Sequence, residues 1–161
     1  MFTRNQNIIA AAVFSLFSLT SINANAEPVA GQGKCTYKPT VANIANTDGF
    51  AVSLSETTCA SSGGFIEGAT VTNPEIANLH QGNGDNSGYY TITNGTDSTV
   101  AKWNGKVTTI MKDGSPMTTT KGQWEYVSGT GKFAGIKGKG EYNGYFTSTT
   151  EYTVDWKGKK Y

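Results

Sequence analysis

Ser128-Gly129-Thr130-Gly131-Lys132-Phe133-Ala134-Gly135-Ile136-Lys137-Gly138-Lys139-Gly140-Glu141-Tyr142 joins a tight glycine turn to a glycine-laced strand. Gly129 and Gly131 flank a hydroxyl residue, so the backbone can reach positive φ at two nearby points without a Cβ penalty. The spacing predicts a turn between adjacent antiparallel strands. Gly138 and Gly140 fall two apart and share one face of an extended chain. Missing side chains there permit sharp curvature, or close approach of a ligand or a second strand. A closed β-barrel needs such places, and glycines that serve bending alone would read the same way.

Outward from this stretch, alternation sorts the last strands into two faces. In Gln123-Trp124-Glu125-Tyr126-Val127, Trp124 and Tyr126 lie opposite Gln123 and Glu125. Gly138, Gly140, Tyr142 and Phe146 fall together, opposite Lys137, Lys139, Glu141 and Asn143, if a turn near Asn143-Gly144 keeps register. Tyr152, Val154 and Trp156 lie opposite Glu151, Thr153 and Asp155. With the aromatic face inside, every carboxylate of these strands points to solvent, where Lys137 or Lys139 would pair with Glu141 or Glu125. The interior then offers Trp103, Trp124, Tyr126, Tyr142, Phe146, Tyr152 and Trp156, which either line a ligand site or fill the barrel as its core.

Upstream, extended segments recur between turn signals, with no apolar run at helical spacing. Strands are expected at 34–39, 50–58, 65–72, 89–93, 99–112, 117–127, 133–143 and 145–157, which gives a single eight-stranded antiparallel β-barrel over residues 27–161. The stretch 73–88, with Pro74 and a polar cluster from His80 to Gly88, reads as a rim loop. Asn83, Asp85 and Ser87 alternate like calcium ligands, but the downstream bidentate acid is missing and turn chemistry explains the composition. Asn94-Gly95-Thr96 is a glycosylation sequon, informative in a eukaryotic, exposed setting. The threonine run 118–120 is a candidate sheet edge.

Residues 1–26 read as a secretory signal. Arg4 supplies the positive start, 8–19 is mostly apolar but shorter than the roughly 20 residues a membrane span needs, and Ala24-Asn25-Ala26 is a small-x-small cleavage site. The expected location is outside the cytoplasm, periplasmic or secreted, with no membrane span. Cys35 and Cys59, the only two cysteines, would there form a disulfide. The chain carries 13 Lys and Arg against 12 Asp and Glu. Loss of Arg4 balances the charge, and nucleic acid is not an expected partner. No metal cluster, nucleophile set or phosphate loop is present, and no cofactor is implied.

The glycine turn and strand, with the preceding Gly122-Gln123-Trp124-Glu125-Tyr126-Val127, resemble the signature of the allene-oxide-cyclase-like and dirigent-like barrels. The resemblance covers residues 122–142 and implies a calycin-like eight-stranded barrel used as a mould. The cyclases of that group steer ring closure of an unsaturated fatty-acid epoxide, with a carboxylate from the N-terminal half inside the cavity. Dirigent proteins orient phenoxy radicals. Glu56 and Glu67 lie in candidate strands of the corresponding half, but no motif around either matches, so no catalytic residue is carried over.

Three readings follow. An exported barrel could hold a small apolar or aromatic ligand, could act as a cyclase or isomerase by confinement, or could be a filled barrel that works through its outer surface. An open cavity beside Trp124, Tyr126 or Tyr142 favours the first two. A carboxylate facing the aromatic cluster, Glu56 or Glu67, would favour the enzyme.

Overall fold

Period-two alternation runs through almost the whole chain, and the computed structural model, which describes residues 25–161, is built from strands. They are β1 (Glu27–Asn43), β2 (Phe50–Ser62), β3 (Thr70–His80), β4 (Asn83–Asn94), β5 (Asp97–Lys112), β6 (Ser115–Gly129), β7 (Gly138–Phe146) and β8 (Glu151–Lys160). Each pairs antiparallel with the next, and β8 pairs with β1, so one sheet closes into a ring. Closure leaves no unpaired edge. Cys35 and Cys59 are cross-strand partners on β1 and β2 and form a disulfide, as an oxidising compartment favours. No helix among the described residues is long and apolar enough to cross a membrane. Of the expected signal segment, residues 1–24 lie outside the described residues.

Several sequence expectations need correction. The supposed rim loop 73–88 is barrel wall, with β3 and β4 joined by the two-residue turn Gln81-Gly82, both at positive φ. Its polar composition misled because the residues on both faces of this wall are largely polar, so hydrophobicity does not mark the strands. Asn83, Asp85 and Ser87 lie on the outer face, and Asp85 pairs there with Lys106. The strand expected at 65–72 starts only at Thr70, because Gly63 and Gly64 take positive φ and the chain makes a short 3-10 helix at Gly64–Ile66. No turn interrupts Asn143-Gly144; β7 continues to Phe146 and turns over residues 147–150. Thr119 and Thr120 pair with both β5 and β7, so that run is not an edge. Lys102 and Lys157, rather than Lys137 and Lys139, make the ion pairs to Glu125 and Glu141. Residues 27–33, ahead of the first expected strand, belong to β1 and pair with β8.

The glycine signature closes one end of the ring. A register shift opposite Val100 and Ala101 leaves Val127 as an extra, exposed residue just before the turn, and such bulges bend a strand sharply. Thr130 is then clipped to β5, its N–H donating to the Ser98 carbonyl at 2.7 Å. Gly131 takes φ 55°, where a Cβ would also strike the Asp97 carboxylate. The following 3-10 helix, Gly131–Phe133, drops Phe133 into the barrel end, 3% exposed. Phe65 and Ile66 from the other short helix meet it there, Phe65 at 5.9 Å from the Phe133 ring. Burying such a side chain stabilises by about 1.5–3 kcal/mol.

Glycines also house the indoles. Each tryptophan has a glycine directly across on a neighbouring strand: Trp103 faces Gly88, Trp124 faces Gly140 and Trp156 faces Gly31. A Cβ on Gly140 would sit 2.6 Å from the Trp124 ring, and one on Gly88 3.0 Å from Trp103. The missing side chains therefore make room for rings that point inward, as well as for the bend.

Candidate functional site

The two halves of the interior differ. Toward the plugged end, Trp124, Tyr126 and Trp156 pack with Ile66, Val71, Ile92 and Ala101 around a void of about 60 Å³. Toward the opposite end, where the turns at Gln81-Gly82, Asp113-Gly114 and 147–150 lie, the barrel holds a cavity of about 400 Å³. Trp103, Tyr142, Phe146 and Tyr152 line this larger space together with Tyr37 and Tyr90. All seven aromatic residues expected inside are inside, but they do not form one site. Tyr142 borders both spaces, whereas Trp124, Tyr126 and Trp156 belong to the packed half.

Glu56 and Glu67 are both exposed and meet no interior group. Among the described residues, the carboxylate inside the barrel is Glu75. On β3 the odd-numbered residues Val71, Asn73, Glu75 and Ala77 face inward, which sets Glu75 among the cavity aromatics. Asn73, only 1% exposed, is fixed from both ends of its amide. The Trp103 indole N–H donates to Asn73 Oδ1 at 2.7 Å, and Asn73 Nδ2 donates to Glu75 Oε2 at 3.1 Å. On β4, Asn86 stands on the other side and donates from Nδ2 to Thr120 Oγ1 at 3.3 Å.

Burial raises the Glu75 pKa from 4.5 to about 7, and the amides of Asn73 and Asn86 offset only part of that effect. A carboxyl in this range can give or accept a proton near neutral pH. Burial also holds the phenols above their ordinary value. Tyr142 is pushed up to about 12, first by desolvation and further by the Glu75 charge. Tyr152 and Tyr90 are raised more, again chiefly by burial. All three remain neutral hydroxyls around the one carboxyl group.

β2 adds a ladder of small polar side chains. Its inward residues are Ser53, Ser55, Thr57, Cys59 and Ser61. The side-chain oxygens of Ser55, Thr57 and Ser61, with Asn86 Oδ1 and Tyr142 OH, are buried without a protein hydrogen-bond partner. Such groups cost about 1–3 kcal/mol each when left unpaired, and are normally met by water or ligand. Among the described residues no three His, Cys, Asp or Glu side chains gather in a metal-binding group.

Sequence reasoning missed Glu75, Asn73, Asn86, Tyr37, Tyr90 and the hydroxyl ladder. The ladder was signalled by the period-two run of small residues from Ser53 to Ser61. Pro74 hid the Asn73 and Glu75 pair, since proline is confined to edges, strand starts and bulges in most sheets. No known protein-family model matches the chain, and no curated protein matches it in sequence.

Proposed function

We propose that the protein binds one small, flat, largely apolar molecule in the open half of the barrel, between Trp103, Tyr142, Phe146 and Tyr152, with Glu75 as its polar anchor. The cavity of about 400 Å³ carries this reading. It lies within the range typical of small-molecule sites and combines aromatic walls with a few convergent polar groups. A filled barrel acting only through its surface fits less well, because stability alone gives no reason to keep a carboxyl and unpartnered hydroxyls inside. The barrel type is calycin-like on this proposal, of the allene-oxide-cyclase or dirigent kind, and the protein works outside the cytoplasm after loss of residues 1–26.

Cyclase or isomerase action by confinement is a second reading, favoured by one observation. Glu75 is a buried carboxyl with a pKa near 7 inside the cavity, and a positioned acid or base of that strength suits proton transfer on a held substrate.

The test is native mass spectrometry of protein purified from its own host compartment, with tryptophan fluorescence during titration by fatty acids and phenolics. A retained molecule or saturable quenching supports binding. A bare oxidised chain that no compound perturbs refutes it. Recovery of the bound compound unchanged separates a carrier from an enzyme, which would return a rearranged isomer and lose turnover in Glu75→Gln while still binding.

A further inference from the structure

We infer that the ligand is an organic cation, a protonated amine or quaternary ammonium on a small apolar body, with its charge beside Glu75 and against the surrounding ring faces. This rests on the binding reading above and adds the ligand's charge to it.

The first support is the charge of the walls. Among the described residues, Glu75 is the only carboxyl lining the larger cavity, and no Lys, Arg or His lines it. The lysines of β5, β6 and β7 lie at outward positions, and Lys160, at the plugged end, pairs with Glu27. An anionic ligand would therefore meet a buried carboxylate with no countercharge, whereas a cation supplies the missing one.

The rings form the second support. Tyr90 stacks on Trp103 at 5.6 Å, Tyr142 meets Trp103 edge-on at 5.6 Å, and Phe146, Tyr152 and Tyr37 cluster across the cavity. Aromatic faces attract ammonium groups most strongly where water is excluded.

A third support comes from hydrogen-bond capacity. Asn86 donates one N–H to Thr120 and turns its amide to Glu75 as well, while Oδ1 stays buried and unpartnered, 6% of the residue being exposed. Asn73 is committed at both ends. Asn86 Oδ1 is thus an unused acceptor close to Glu75, which an N–H donor on the ligand satisfies.

The titratable groups that share the cavity with Glu75 are the phenols Tyr37 on β1, Tyr90 on β4, Tyr142 on β7 and Tyr152 on β8; β2, β5 and β6 contribute none. Burial holds Tyr90, Tyr142 and Tyr152 protonated near pH 7, which leaves Glu75 to set the pH dependence there. A cation that binds the ionised carboxylate must therefore bind more weakly as pH falls through the Glu75 pKa of about 7.

Isothermal titration calorimetry of the mature protein with three matched probes tests this: 3-phenylpropylamine, 3-phenylpropan-1-ol and 3-phenylpropionate. The amine should bind at least tenfold tighter than the alcohol at pH 8, with the propionate weakest. Its affinity should fall about tenfold from pH 8 to pH 6, following the ionised fraction of Glu75, while the alcohol's stays level. At pH 7 its binding should release protons, seen as a buffer-dependent heat. Glu75→Gln should bring the amine to the level of the alcohol. Equal binding of amine and alcohol, or preference for the propionate, overturns the cation assignment and leaves the binding site standing. Failure of all three probes counts against both. The pH series on the unaltered protein decides the matter even if the variant does not fold.

Discussion

Glu75→Gln should make the protein more resistant to unfolding as pH rises, and the size of the effect follows from where the carboxyl sits. Burial holds its proton to about pH 7, while the unfolded chain releases it near 4.5. Below 4.5 both states carry the proton and the group adds no pH dependence. Between the two values the native state binds more protons than the unfolded one, so wild-type stability falls with rising pH, by up to about 1.4 kcal/mol per unit. Above pH 7 both states are ionised and the loss is complete, at about 3 kcal/mol. Glutamine keeps the shape and an acceptor for the Asn73 amide but cannot ionise. The stability of Glu75→Gln minus that of wild type should therefore grow by about 3 kcal/mol from pH 4.5 to pH 8, or about 10 °C in melting temperature for a domain of this size. Urea unfolding followed by tryptophan fluorescence at closely spaced pH values gives the difference curve directly. Parallel curves for the two proteins would refute the placement of Glu75 in a desolvated interior.

Gly140→Ala should destabilise by about 1–3 kcal/mol, as overpacking does, because the new methyl meets the Trp124 ring at 2.6 Å and the Lys157 carbonyl oxygen. A lowered urea midpoint with an unchanged far-ultraviolet spectrum supports the fit of indole into glycine; an unchanged midpoint contradicts it. Replacing Cys35 and Cys59 together by serine should cost about 3 kcal/mol by loop entropy, given their separation of 24 residues. Chemical denaturation of the variant measures it, and a loss well under 1 kcal/mol would mean that the β1 and β2 ladder already restrains the unfolded chain.

The sequence was most legible where chemistry and period agree. In the segments 123–126, 137–142 and 151–156, polar residues alternate with rings, glycines and valine, so inward and outward faces are legible in the sequence, and the burial of Trp124, Tyr126, Tyr142 and Tyr152 follows that assignment. Glycine spacing told of close approach without saying to what; the partner rings lie on other strands, and cross-strand register is not written in one segment. The candidate site was hidden for a related reason. Asn73, Glu75 and Asn86 are polar inward residues on strands whose outer face is also polar, so alternation vanishes at β3 and β4 and the segment passes for a loop. Only the closed ring, which brings Asn73 to Trp103 and Asn86 to Thr120, turns those residues into one network.

The unequal halves of the barrel bear on why such a network is tolerated. Trp124, Tyr126 and Phe133 pack the plugged end to a void of about 60 Å³, and the disulfide ties β1 to β2. That end carries dense apolar contact and can offset local losses elsewhere. The open end does the reverse, keeping Asn86 with an unpartnered buried carbonyl oxygen, and keeping Glu75 where glutamine would avoid the ionisation penalty. Each choice weakens the fold by an amount comparable to one good core contact. Local rules of this kind are broken at functional sites more than elsewhere. Glu75, Asn86 and Tyr142 all border the one cavity of about 400 Å³, and that convergence is what supports the proposed ligand site in the open half.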